Sequence, residues 1–350
     1  MRGRFALFIS LFLLSFAPAV AAAGPTYTLT VVGPYRTVGR QAVALNDAGH
    51  VTGQGAGNKA FLYNGTLRSL GAPAGSVWSV GQGISNGDVV AATAQDASGV
   101  RHAYAVTAPA GKVRWAALSG LAGYALSEAQ AITPDGSAIV GTLCRTTDRA
   151  CAGTKGALLA AVWQRSAGKY GAPLLLPAGK SSAGSSGAAV ARSGSVTVAA
   201  AGNTVWPLRS RYGLALTAPA PDTSSSITGM SRGPNNTFYV VGNASNPNVG
   251  TVTEALIWTV RCTHTGCTQI NRQIIANDTQ AFAVNNQGQV VGYSRPNEDG
   301  AGFYYMWQNG QMTEIPIEGL AINSQGQIAG PRQNPTTFRI DQVALLTPSS

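Results

Sequence analysis

The chain has 350 residues, with 24 Lys and Arg against 14 Asp and Glu, a formal charge of +10 and only 11% charged residues. Its basic residues are scattered, Arg209-Ser210-Arg211 being the nearest approach to a cluster. The Lys/Arg runs that mark nucleic-acid binding are therefore missing, and the positive balance reads as general solubility charge.

The N-terminus comes first in chain order. Arg2 and Arg4 precede an apolar run from Phe5 to Phe16, and small residues follow at Ala19-Val20-Ala21-Ala22-Ala23-Gly24. This order predicts a signal peptide over 1–23 and a single exported domain over 24–350, periplasmic or secreted. The apolar run is too short for the ~20 residues of a membrane-spanning helix. Next, Tyr27-Thr28-Leu29-Thr30-Val31-Val32 alternates like a half-buried strand.

A recurring phrase begins after that strand. Ala44-Leu45-Asn46-Asp47-Ala48-Gly49-His50-Val51-Thr52-Gly53 returns as Ala283-Val284-Asn285-Asn286-Gln287-Gly288-Gln289-Val290-Val291-Gly292, and again from Ala321 to Gly330. Weaker copies lie at 82–90, 131–141, 189–196 and 227–242. With Gly49, Gly87, Gly136, Gly194, Asn236, Gly288 and Gly326 as markers, seven units follow at roughly 40 to 60 residue spacing. The fourth and fifth are degenerate, which leaves six to eight units open.

Each clear unit continues with a second and third apolar run, as in Ala60-Phe61-Leu62-Tyr63 and Leu67-Arg68-Ser69-Leu70. Four short strands per unit predict an all-β propeller blade. In the first turn, Asn, Asp or Ser caps through its side chain and Gly supplies the positive φ of a bulged hairpin. The last unit runs short before Ser350, so the N-terminal strand is expected to complete it and to cover an open edge. The Ser/Gly-rich stretch 179–187 reads as a long loop between blades.

The phrases at 283–293 and Met306-Trp307-Gln308-Asn309-Gly310-Gln311-Met312 resemble the HAF repeat of exported bacterial proteins. His102-Ala103-Tyr104 and Lys59-Ala60-Phe61 hold its His-Ala-Phe position, mostly without His. The resemblance is close over 42–71, 279–316 and 318–330 and faint over 180–260. It implies export and a repeat fold, and no reaction. Residues repeated in every unit are expected to build blades rather than to bind ligand.

Four cysteines in an exported chain suggest two local disulfides, Cys144–Cys151 and Cys262–Cys267, each clamping a hairpin loop. His264, inside one pair, lacks the partners of a zinc site, and no metal or cofactor is expected. Only His50, His102 and His264 are available for a nucleophilic triad, with no Gly-x-Ser-x-Gly elbow before a helix.

The reading is of a monomeric, non-catalytic binding or scaffold module of the bacterial envelope, with a glycan or an envelope protein as partner. Trp78, Trp115, Tyr124 and Tyr212 lie outside the clearest repeat phrases and are the candidate ligand-binding aromatics. The alternative is a propeller glycosidase or polysaccharide lyase using Glu128, Glu254 or Glu314.

Overall fold

A computed structural model of the chain describes residues 25–36, 42–145, 158–176, 187–219, 224–245, 253–295 and 302–349. The expected signal peptide over 1–23 lies outside these residues. The described strands form seven sheets of four strands each, and no described helix is long and apolar enough to cross a membrane. Blade one comprises Val43–Leu45, Val51–Gly55, Lys59–Tyr63 and Leu67–Gly71. Blade two comprises Ser76–Ile84, Val90–Asp96, Arg101–Thr107 and Arg114–Ala117; blade three, Leu126–Ile132, Ala138–Cys144, Leu158–Ser166 and Lys169–Leu175. Blade four comprises Gly187–Ser193, Val196–Ala201, Thr204–Pro207 and Leu214–Ala215; blade five, Ser224–Arg232, Thr237–Ser245, Thr253–Cys262 and Cys267–Ala276. Blade six comprises Thr279–Val284, Val290–Ser294, Phe303–Gln308 and Gln311–Ile315.

Blade seven is made from both ends of the chain. Ala321–Ile322, Ile328–Gln333 and Ile340–Pro348 supply three strands, and Tyr27–Pro34 supplies the outer fourth by pairing antiparallel with Ile340–Pro348. The expected N-terminal closure is present. It pairs an edge that would otherwise be open to another chain.

The core is a ring of seam clusters. Val43, Val51 and Phe61 of blade one pack with Ala329, Val343 and Leu345 of blade seven. Blades four and five meet through Val198, Val205, Phe238 and Trp258, and blades two and three through Ala91, Ala105, Ile139 and Trp163. The third-strand tryptophans also reach backwards: Trp163 Nε1 donates to the Ser119 carbonyl at 2.8 Å and Trp258 Nε1 to the Thr217 carbonyl at 3.1 Å. Each indole thereby buries its ring while its one polar atom stays paired. The degenerate fourth and fifth units fold as full blades because their apolar alternation survives where their turn residues have drifted.

The final Gly of the repeated phrase has a steric cause. In blades two to six the inner strand bulges against the second strand, as between Ala129 and Ala131 or Ala281 and Ala283. Beside the bulge a carbonyl presses on the second strand. A Cβ at Gly292 would lie 1.9 Å from the Gln280 oxygen, and one at Gly141 1.9 Å from that of Glu128. Blade two solves the same problem from the other side, with Ala92 on the second strand opposite Gly81 on the inner one.

Cys262 and Cys267 form a disulfide across the third hairpin of blade five. Closing so short a loop stabilises by about 2 kcal/mol through the unfolded chain. Cys144 is buried at the end of its strand, and Cys151 lies outside the described residues.

Gly292→Ala is expected to lower the denaturation midpoint by the equivalent of about 1–3 kcal/mol, the cost of overpacking. Gly120→Ala, where an added Cβ meets nothing within 4 Å, is expected to leave the midpoint nearly unchanged.

Candidate functional site

In every blade the inner strand runs toward the same end of the channel, where the first and third turns emerge. Three successive positions per blade build the mouth at this turn face. The first is apolar and forms a floor of seven side chains, Leu45, Ile84, Ile132, Val190, Met230, Val284 and Ile322. The third forms the rim, occupied by Asp47, Asn86, Pro134, Arg192, Arg232, Asn286 and Ser324. The enclosed depression holds ≈ 170 Å³.

The middle position holds the ring together. Asn285 Nδ2 donates to the Asn323 carbonyl at 2.9 Å, Asn323 Nδ2 to the Asn46 carbonyl at 2.9 Å, and Asn46 Nδ2 to the Ser85 carbonyl at 3.0 Å. Each of these Asn side chains also caps its own turn. Asn323 Oδ1 accepts from the amides of Gln325 and Gln327, both at 3.0 Å, and Asn285 Oδ1 does the same for Gln287 and Gln289. Asn46, Asn285 and Asn323 are all buried. One amide side chain thus fixes a turn and clasps the next blade, which explains why the phrase repeats as Asn-x-x-Gly.

The clasp weakens and then vanishes around the ring. Ser85 and Thr133 cap their own turns through Oγ at 3.0 Å, and at the inner turn blade two reaches blade three through a backbone contact, the Asn86 amide on the Pro134 carbonyl at 2.7 Å. In blades four and five the clasp position holds Ala191 and Ser231, and the rim position beside it holds Arg192 and Arg232. The mouth is therefore tightly tied on one side, where its only charged rim residue among the described residues is Asp47, and carries arginines on the other.

Two carboxylates answer that charge. Burial works against ionisation of Asp47, but hydrogen bonds from Ser324 and Asn86 and the charge of Arg232 outweigh it and hold its pKa below the ordinary 3.8. Burial likewise opposes ionisation of Asp135, and hydrogen bonds from Thr133 and Ser137 with the Arg192 guanidinium hold it below 3.8. Arg192 Nη1 lies 2.8 Å from Asp135 Oδ2.

Arg192 also lines a second cavity on the turn face, a cleft of ≈ 250 Å³ between blades three and four. Gln164, Arg165 and Ser137 form one wall, Ser195, Thr197 and Arg209 the other, and His264 of blade five closes one end. His264 Nε2 is 3.1 Å from Ser195 Oγ, and Ser210 Oγ donates to the Thr265 carbonyl at 2.9 Å. The disulfide-clamped loop of blade five is thereby docked onto blade four. Neither cavity was legible in linear sequence: its arginines come from separate turns that only the closed ring brings together.

The candidate aromatics go to different places. Trp78 is buried on the inner strand of blade two, with the Arg101 guanidinium 5.7 Å from its ring. Trp115 Nε1 donates to the Leu70 carbonyl at 2.9 Å while its ring meets Tyr104 edge-on. Tyr124 sits under Arg145, whose Nε donates to its hydroxyl at 3.2 Å. Tyr212 alone of the four is open, at 80% exposure, in the third turn of blade four beside Arg209 and Arg211. Glu128, Glu254 and Glu314 lie in three different blades, and Glu128 is ion-paired with Arg101. No group of three His, Cys, Asp or Glu suited to a metal occurs among the described residues.

No protein-family model matches the chain, and no curated protein is significantly similar to it. Solved structures match as propellers. The extracellular domain of a one-component system from B. thetaiotaomicron aligns with 91% of this chain and 39% of its own at 8% identity, TM-score 0.50. The WD40 domain of SCAP from fission yeast aligns with 89% of this chain and 82% of its own at 13% identity, TM-score 0.40. AofleA from Arthrobotrys oligospora aligns with 83% of this chain and 89% of its own at 12% identity, TM-score 0.40. The chain is a seven-bladed β-propeller.

Asn323→Ala leaves two turn amides without their acceptor and cuts the tie between blades seven and one. It is expected to destabilise by about 2–3 kcal/mol in denaturant unfolding. Asp47 and Asp135 have folded pKa values below 3.8, so the folded state holds their protons less tightly than the unfolded chain. Their contribution is complete above about 3.8 and is lost as pH falls through the folded values. Asp47→Asn is expected to flatten the acid limb of the stability profile.

Proposed function

We propose that the protein is an exported, non-catalytic binding module that presents its turn face to a glycan of the bacterial envelope. The observation that carries this reading is the pairing, on one face, of a polar-rimmed depression with an adjoining cleft rich in hydroxyl, amide and guanidinium groups. Such convergent polar groups suit sugar hydroxyls, each of which needs a directed partner.

A protein partner is less well served. Stable protein interfaces cover about 800 Å² per side around apolar anchors. The large exposed apolar side chains, such as Leu67, Leu174, Ile270, Ile274 and Phe338, lie on outer strands and on the opposite-face loop of blade seven. Tyr212 is the exposed large apolar residue on the turn face. Export draws support from the leader-like N-terminus and from the Cys262–Cys267 disulfide, a bond that persists in oxidising compartments. The dispersal of Glu128, Glu254 and Glu314 supports binding over glycoside cleavage, which needs two carboxyls within about 5–10 Å.

The purified chain, screened on a glycan array at low and moderate salt, is expected to retain defined saccharides as salt rises. Uniform loss of signal with salt would reduce the binding to net charge and overturn the reading. Release of reducing ends from a retained glycan would favour the enzyme instead.

A further inference from the structure

The reading of a glycan-binding turn face leaves open which sugars it takes, and the cleft between blades three and four bears on that. Three guanidinium groups, from Arg165, Arg192 and Arg209, border ≈ 250 Å³ together with His264. Among the described residues no Asp or Glu lines the cleft, and the nearby carboxylate of Asp135 is engaged by a single Arg192 nitrogen at 2.8 Å. Among the described residues Arg209 has no hydrogen-bond or ion-pair partner, and Arg165 has one long contact, Nε to the Gly168 carbonyl at 3.4 Å. Arg192 is held by Asp135 and by the Gly194 carbonyl, whereas Arg165 and Arg209 are exposed. Exposed guanidinium groups with so few protein partners are the side chains best shaped for bidentate capture of carboxylate, sulfate or phosphate oxygens.

The rest of the lining narrows the ligand. Ser137, Ser195, Thr197 and Gln164 supply neutral donors and acceptors, the complement of sugar hydroxyls rather than of a bare inorganic ion. The volume lies below the roughly 300–1,000 Å³ of drug-sized sites and suits one sugar unit. Tyr212, 80% exposed beside Arg209, offers a flat face on which the next unit of a chain would rest. A single-stranded nucleic acid would instead require a cationic groove with several stacking aromatics, and among the described residues Tyr212 is the fully exposed aromatic on this face.

We propose that this cleft is a binding site for an anionic sugar, a uronate or a sulfated or phosphorylated saccharide unit, with Arg165 and Arg209 holding the acidic group and Arg192 joining the cleft to the channel mouth. The inference rests on the glycan-binding reading and specifies its ligand.

The test is calorimetric titration of the full chain with hexagalacturonate, a sulfated hexasaccharide, neutral maltohexaose, oligo-dT and a poly-glutamate peptide. The proteins are wild type, the double variant Arg165→Ala with Arg209→Ala, and Arg68→Ala, which removes an exposed charge on the outer strand of blade one. An acidic hexasaccharide is expected to bind best, and the double variant to lose affinity by about tenfold to a hundredfold. Arg68→Ala is expected to match wild type, and the double variant to keep the wild-type melting temperature. Undiminished affinity in the double variant, or an equal loss in Arg68→Ala, would overturn the site. Binding of maltohexaose alone would overturn the inference while sparing the glycan reading. Tighter binding of oligo-dT or poly-glutamate would overturn the inference in favour of another partner class, and no saccharide binding at all would overturn both.

Discussion

A single buried side-chain amide is the contact on which this propeller most depends. At Asn285, Asn323 and Asn46 the carboxamide oxygen closes a turn within its own blade, and its nitrogen crosses the seam to the next blade's backbone. The rest of each seam is mainly apolar packing, which is strong but indifferent to small slides, with scattered polar contacts such as the Ala60 amide on Ser79 Oγ and the Ala281 amide on Asn243 Oδ1. At the three clasped turns a directed hydrogen bond sets the rotation of one blade against the next. The N-terminal strand then completes blade seven, so that the tied seams six to seven and seven to one lie on either side of the ring closure.

The same geometry accounts for where chemistry is free to appear. Seams that carry the Asn clasp have their inner turns occupied by structure, and their rim residues, such as Asp47, are drawn into it through Ser324 and Asn86. Blades four and five lack the clasp, and their inner turns carry arginines. The loss of a structural hydrogen bond there coincides with a cationic half of the mouth and with the adjoining cleft. Stability at blades four and five rests instead on the apolar seam around Phe238 and Trp258 and on the clamped loop of blade five.

Much of the fold was legible because its signals are local. Asn-x-x-Gly declares a capped turn, Val-Val-Gly a buried strand with one close approach, and their recurrence a ring of blades. Even the degenerate fifth turn keeps its backbone logic, with Asn235 and Asn236 at φ 52° and 57° standing in for Gly. The candidate cleft was not legible, for the converse reason. Arg165, Arg192, Arg209 and His264 are separated by up to a hundred residues and share no motif; ring closure alone assembles them. Aromatic type did not signal exposure either. Trp78, Trp115 and Tyr124 lie outside the clearest repeat phrases yet are taken up by packing or by contacts with Arg101, Leu70 and Arg145, whereas Tyr212 remains open.

Hydrogen exchange read by mass spectrometry, with and without a saturating acidic oligosaccharide, tests most directly the claim that the repeated phrase builds the ring and that ligand sits where the phrase fails. In the free protein, turn amides at 46–50, 285–289 and 323–327 should be strongly protected, with faster exchange at 192–195 and 232–236. Ligand should slow exchange at 192–195, 208–213 and 262–267 and leave the Asn-clasped turns unchanged. A footprint centred on the clasped turns, or equal protection of all seven in the free protein, would contradict it.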